Sequence, residues 1–298
     1  MTTSARVTMR DVARASGVSQ ATVSFVLNET ANQTIPDATR ERVRRAAAEL
    51  GYVPHSIARA LREGASRIVV LEAGGLPRGN SLESFIAGLD AELALAGHSL
   101  LVSYGSSAAA IEAVSPRAVI DLPAVYASPD REVADGGWID GMAAHTLTQI
   151  GHLAGRGHRK IAVAVPAGPD PLFALMAGHV RSAAQELRLP PPETVLVDDR
   201  PDQLRALLDA GITAVAGLHD DAALGVLAAL SDLGLRAPDD LAVIGFDDTP
   251  QGALWRPRLT SVRIDARAYG RRTARQVLGL PVGDATPAPA QVIVRDSA

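Results

Sequence analysis

Residues 11–28, DVARASGVSQATVSFVLN, set three compact residues at fixed separations: Ala13, Gly17 four positions on, and Val23 six beyond that. Each has a steric reason. Alanine lets one short helix lie close against the next, glycine takes the left-handed turn that side chains resist, and valine packs back into the angle between the helices. The pattern encodes a helix-turn-helix corner. Thr8 with Asp11 reads as a capping box for the first helix, Ser19 as the N-cap of the second, and Val12, Ala13, Val18, Val23 and Val26 as the apolar set. Gln20, Ala21, Thr22 and Phe25 are left to face a partner. A second helix docked this way enters the major groove of duplex DNA, where its early outward side chains reach base edges. The alternative is a helical packing module without a partner.

Charge is distributed to match. Up to Arg62 there are nine arginines against five acids, a net +4, whereas the remainder carries −8 of the overall −4. A basic front on an acidic body fits a headpiece that grips a polyanion while the body does not. At 298 residues the chain suits two or three compact units. No run of about 18 apolar residues occurs and MTTSARVTMRDV has no apolar signal region, so the expectation is a cytoplasmic protein with no membrane partner. Without cysteine there is no disulfide framework, thiol nucleophile or thiolate metal site. His145, His152 and His158 are seven and six apart, spacings that do not put all three on one helix face, and no metal is expected there. A Walker A loop, a Gly-x-Ser-x-Gly elbow, a zinc-protease motif and a Gly-x-Gly-x-x-Gly after a strand are all missing, so no enzyme, catalytic residue or cofactor is expected.

A third helix is expected over 37–50, ended by Gly51 with Pro54 beyond, its buried stripe being Val43, Ala46, Ala47 and Leu50. Residues 55–64 are weakly apolar, stop at Gly64, and read as a linker able to fold on demand. From Arg67 the texture changes. Strands RIVVLE, HSLLVSY and AVIDL alternate with a helix over 81–96; then KIAVAVP, TVLVD, AVAGL and AVIGFDD alternate with helices over 140–154, 172–187, 202–210 and 221–233. That alternation implies parallel sheets, here two α/β lobes around a cleft. The fold class is therefore an all-α headpiece joined to a two-lobed α/β core, divided as 1–54, 55–64 and 65–298. Asp247 and Asp248 follow a strand and either cap its turn and fix the crossing between lobes or form paired carboxylates.

The segments VTMRDVARASGVSQATVSFVLN, TRERVRRAAAELGYVPHSIARAL, GHRKIAV, LRAPDDLAVIGFDD and RLTSVR resemble the lactose repressor (LacI/GalR) family of bacterial transcription regulators. Residues 75–140 match poorly and are shorter than the family norm. The resemblance implies a homodimer whose headpieces read a palindromic operator in double-stranded DNA, and a periplasmic-binding-protein-like core that senses a small-molecule effector, a sugar or related metabolite. It places Gln20, Ala21 and Phe25 on bases, and Ser19, Thr22, Ser24 and Asn28 on phosphates. Phenylalanine cannot make the bidentate guanine bond of the arginine common at its position, so Phe25 is expected on a thymine methyl. It makes 55–64 a hinge that pushes Leu61 into the minor groove, flanked by Arg59 and Arg62; otherwise Leu61 covers the core surface.

In the core, the resemblance puts the effector at the strand ends, against Asp220, His219, Leu175 and His179. Asp220 is open to a second reading as the N-cap of the helix that follows. Leu175 stands where sugar-responsive members place an arginine, and His179 where an aromatic is usual, so the fork that captures a hydroxyl pair is missing. The expected function is a DNA-binding regulator, a repressor under effector control; the alternative is a ligand-binding protein, or a constitutive DNA binder whose effector response has lapsed. No C-terminal heptad follows VIVRDSA, which favours a dimer over a coiled-coil tetramer.

Overall fold

The computed structural model describes residues 7–27, 34–52, 66–105, 108–127, 137–166, 171–197, 201–283 and 286–298. Asn28, Pro54 and the expected hinge with Arg59, Leu61 and Arg62 lie outside the described residues. The chain divides into two compact units, Met1–Ser66 and Arg67–Ala298.

Among the described residues the first unit holds three helices, α1 (Met9–Ser16), α2 (Gln20–Leu27) and α3 (Asp37–Glu49). Thr8 starts α1, its N–H and Oγ1 both donating to the Asp11 carboxylate at 2.9 and 2.6 Å. Gly17 ends it at φ +65, and the space around its Cα is open, so the backbone angle rather than crowding demands glycine. Ser19 Oγ then accepts the Thr22 N–H at 3.1 Å and caps α2. The core is small: Val12, Val23 and Val43 have no exposed surface and Ala13, Val26, Ala46 and Ala47 close around them. Each fully buried valine contributes about 1.5–3 kcal/mol. Arg42 Nε ties α3 to the last turn of α1 by donating to the Ser16 carbonyl at 2.9 Å. Leu50, expected in the buried stripe, is 37% exposed. The helix has already ended at Glu49, and Tyr52 folds back instead, its N–H reaching the Ala47 carbonyl at 2.9 Å.

Among the described residues the second unit contains two sheets. In the first lobe β1 (Ile68–Glu72), β2 (Ser99–Ser103) and β3 (Ala118–Asp121) pair in parallel in the order β2-β1-β3. Between them run α4 (Asn80–Leu95) and α5 (Ala108–Ala113), with α6 (Leu122–Ala127) after β3. The second lobe opens with α7 (Trp138–Gly155). Its strands are β4 (Ile161–Pro166), β5 (Glu193–Val197), β6 (Ala214–Gly217), β7 (Ala242–Phe246), β8 (Thr260–Arg263) and β9 (Gln291–Ile293). They run in the order β5-β4-β6-β7-β8-β9, parallel except for the β8–β9 pair. Helices α8 (Pro171–Glu186), α9 (Pro201–Asp209), α10 (Asp220–Asp232), α11 (Pro250–Leu254) and α12 (Ala266–Leu278) connect them.

Helix α12 returns from the second lobe to pack along α4. The approach is close because glycine sits on both helices. A Cβ on Gly270 would stand 2.1 Å from the Phe85 carbonyl oxygen, and one on Gly88 2.1 Å from that of Arg267. One apolar core runs from Leu71, Phe85 and Leu89 in the first lobe to Ile150, Val180 and Ile244 in the second, and another fills the far face of the larger sheet around Val215, Leu227 and Val243. Parallel strands need cover on both faces, and the larger sheet has it.

Candidate functional site

Two surfaces carry the residues singled out by sequence. On the first unit, Gln20 and Ala21 are exposed at the start of α2, and Thr22, Ser24 and Phe25 are half-buried beside them. Ser19 Oγ also contacts Thr22 Oγ1 at 2.9 Å, so this pair fixes the capped end. Arg10, Arg14, Arg42, Arg44 and Arg45 are exposed on the flanking helices. Asp11 is held below the usual carboxylate range, mainly by its bond from the Thr8 hydroxyl, and so stays ionised at the N-terminus of α1.

The second surface is a cleft at the carboxyl ends of the strands, where ligands of open α/β sheets sit. The strand ends supply Leu218 and His219 after β6, Phe246 and Asp247 at β7, and Ile264 after β8. The helices supply Ser81 and Leu82 of α4, Trp138 and Met142 of α7, and Phe173 and Met176 of α8. The cavity is about 60 Å³. Its walls are mostly hydrocarbon and ring: Trp138 tilts against Phe85 with ring centroids 4.7 Å apart, and Phe173 against His219 at 5.4 Å.

Four polar groups interrupt that lining. His219 caps α10, its Nδ1 accepting the N–H groups of Asp221 and Ala222 at 3.0 and 3.4 Å. An accepting Nδ1 puts the ring proton on Nε2, and burial lowers the pKa, keeping the ring neutral. Asp247 accepts the Ser81 N–H at 2.6 Å, and burial pushes its carboxyl up to about 6. Ser81 Oγ and Trp138 Nε1 are buried without a hydrogen-bond partner.

Of the four positions expected against an effector, His219 alone lines this cavity among the described residues. Asp220 neither faces it nor caps α10. It is buried behind the strand ends, its Oδ2 accepting from Thr249 N and Oγ1 at 2.6 and 2.9 Å and its Oδ1 from Ser261 Oγ at 2.5 Å. Leu175 packs against the main core, and His179 lies half-buried further along α8 with its Nε2 buried and unpartnered. The Asp247–Asp248 pair splits: Asp247 turns to α4, while Asp248 is ion-paired with Arg263 and Arg295. Both have positive φ, 119 and 52, which aims the two carboxylates apart. Sequence reasoning missed Trp138, Phe173 and Met176. Their signal was rarity, since the chain has two tryptophans and four phenylalanines.

His145 meets Tyr269 Oη at 3.3 Å and His158 meets Thr213 Oγ1 at 3.0 Å; among the described residues no group of histidine and acidic side chains could hold a metal ion. No helix among them is long and apolar enough to cross a membrane.

Two family profiles match: bacterial regulatory proteins of the lacI family over residues 8–55, and a periplasmic binding protein-like domain over 150–298. The lactose operon repressor of Escherichia coli (strain K12) is 27% identical, over 94% of this chain and 86% of that protein. The HTH-type transcriptional regulator GalS of Salmonella typhimurium is 30% identical, over 86% and 85%. A crystal structure of the Lac repressor dimer bound to operator and the anti-inducer ONPF superimposes with a TM-score of 0.72 at 25% identity, covering 98% of this chain and 99% of that one. These relatives are transcriptional regulators rather than enzymes. With both units matched in order along the chain, it belongs to the lacI family of bacterial regulatory proteins.

Proposed function

We propose that this chain is a sequence-specific transcriptional repressor, not an enzyme, that works in the cytoplasm as a homodimer on a palindromic operator and is controlled by a small molecule in the core cleft. The observation that carries this reading is the exposed start of α2. Gln20 and Ala21 project from a helix whose capped end and buried valines leave it one free face, with exposed arginines on the two helices packed beside it. Gln20, Ala21 and Phe25 read bases; Ser19, Thr22, Ser24 and Asn28 hold phosphates. Residues 1–54 form the headpiece, 55–64 the hinge whose Leu61, Arg59 and Arg62 enter the minor groove, and 65–298 the sensing and dimerising core.

Control follows from the cleft. A ligand there touches Asp247 of one lobe and Ser81 and Leu82 of the other, so it changes how the lobes close. Closure alters whether two headpieces reach both half-sites together, a coupling of about 1–3 kcal/mol in typical cases. The test is selection of duplexes from a random pool, followed by gel-shift titration of the winner at several salt concentrations. A palindromic consensus and affinity falling steeply with salt are expected. A protein that retains no duplex at low salt would be a ligand-binding protein only, and the repressor reading fails.

A further inference from the structure

The cleft is built for a different chemistry from sugar capture. A hexose carries five hydroxyls, and each must find a partner when it leaves water. The cavity offers four polar side chains, Ser81, Trp138, His219 and Asp247, in a wall otherwise made of Leu, Met, Phe, Ile and Pro77. Size points the same way. A cavity of about 60 Å³ is smaller than the roughly 150 Å³ that encloses benzene, so a single ring is the most this cleft takes up by opening slightly, and a disaccharide is too large.

Charge narrows the class further. Among the described residues the lining has no lysine or arginine, and the Asp247 carboxylate faces the cavity, so a phosphate or carboxylate ligand would meet repulsion without a counter-ion. Besides the unpartnered Ser81 hydroxyl, two N–H donors border the cavity. Trp138 is 5% exposed and its Nε1–H has no partner, and the capping bonds at His219 Nδ1 leave its Nε2 protonated. Both ask for an acceptor atom on the ligand.

We infer that the effector is a small, neutral, largely apolar one-ring molecule carrying one or two hydrogen-bond acceptors, held between Phe173, Met176 and Leu82 with its acceptor on Trp138 or His219. This rests on the regulator reading only for its consequence at DNA; binding itself does not depend on it.

The experiment uses the full chain with Trp255→Phe, which leaves Trp138 as the single tryptophan. Acetophenone, cyclohexanone and benzyl alcohol are titrated beside cellobiose, glucose, hypoxanthine and inorganic phosphate, following tryptophan emission and the melting temperature. At least one neutral ring compound should shift Trp138 emission saturably and raise the melting temperature, with none of the other four doing so. Met176→Phe, which fills the slot, should abolish the response. Should that variant not fold, Trp138→Phe, followed by melting, should weaken acetophenone about fivefold for its lost bond and leave toluene unchanged. Saturable binding of cellobiose, glucose, hypoxanthine or phosphate, or silence from all three ring compounds, overturns the inference. Duplex binding is measured in parallel on the same preparation: ligand binding without duplex binding sinks the repressor reading alone, and duplex binding with one of those two ligand results sinks this inference alone.

Discussion

Asp247, at the end of β7, reaches the N-terminus of α4 and accepts the Ser81 backbone N–H at 2.6 Å, so a carboxylate of one lobe caps a helix of the other. The contact is tight: a Cβ on the neighbouring Gly79 would stand 1.8 Å from Asp247 Oδ2. Asn80 adds a second tie, its side-chain amide donating to the Asp247 carbonyl at 3.2 Å. The cavity at the strand ends lies against this junction, with Ser81 and Asp247 both in its lining.

The junction gives a pH dependence. Burial raises the Asp247 carboxyl from 3.8 to about 6 against the opposing pull of its Ser81 bond. A raised carboxyl pKa favours the protonated form in the fold, so its contribution is fully present below about pH 4 and is lost as pH rises through about 6. Asp247→Asn, which mimics the neutral form, should remove that dependence. The difference in stability between Asp247→Asn and the parent, on the order of 2–3 kcal/mol, should open between pH 4 and 6 and stay flat above 7. Urea melts at five pH values check it, and parallel pH profiles for the two proteins would sink the assignment.

Asp220 makes a separate prediction. Its three accepted bonds from Thr249 and Ser261 are buried and close to the floor of the cleft, yet it does not line the cavity. Burial raises its pKa while those donors pull the other way. Asp220→Ala strands three donors and should cost about 3 kcal/mol or more of core stability. Whatever protein stays folded should bind the cleft ligand with unchanged affinity. A tenfold affinity loss with an unaltered melting temperature would instead place Asp220 on the ligand.

Gly17 isolates a backbone effect. Its φ of +65 is costly for an L side chain, and nothing lies within 4 Å of the position a Cβ would take. Gly17→Ala should therefore lose about 1–2 kcal/mol of headpiece stability without any clash. Gly17→Asn should lose less, since asparagine enters the left-handed region more readily. Hydrogen exchange of the Val12 and Val23 amides measures both, and equal losses for the two variants would mean the turn is not what glycine serves.

How much of this was legible beforehand varies with how each element is stabilised. The corner of α1 and α2 was readable because its constraints are local: Thr8, Gly17 and Ser19 act on neighbours within four residues. Strands β4 to β7 of the larger sheet announced themselves as apolar runs, as doubly covered parallel strands do, whereas β8 and β9, short and partly polar, did not. Helix α12 was missed because its buried side, Ala266, Ala268, Tyr269, Gly270, Thr273 and Ala274, is mostly small residues and its outer side carries four arginines, so the segment has few large apolar side chains although its packing on α4 is close. A cleft at the strand ends was expected, and of the residues named for it His219 alone lines the cavity among the described residues. Asp220 and Leu175 are near it in sequence, but Asp220 turns to Thr249 and Ser261 and Leu175 to the core, and no spacing rule foretells that choice. Trp138 comes to the cleft from α7, about eighty residues before β6 ends, through contacts that only the assembled lobes create.

Phe25 offers the sharpest test of the surface proposed to meet DNA. It is half-buried on α2 beside the exposed Gln20 and Ala21, and its ring can make apolar contact with a thymine methyl but cannot donate a hydrogen bond. Phe25→Arg introduces a planar fork suited to guanine O6 and N7, a pairing that discriminates by about 1–3 kcal/mol against the wrong base. The consensus selected from random duplexes should then change from thymine to guanine at one position in each half-site, symmetrically, with the other positions kept. Total affinity at fixed salt should move less than base preference, apart from a slightly steeper salt dependence from the added charge. Gln20→Ala should alter a different position of the half-site, since the two residues lie more than one helical turn apart along α2. The same consensus from parent and Phe25→Arg would show that Phe25 serves the packing of α2 and does not read sequence.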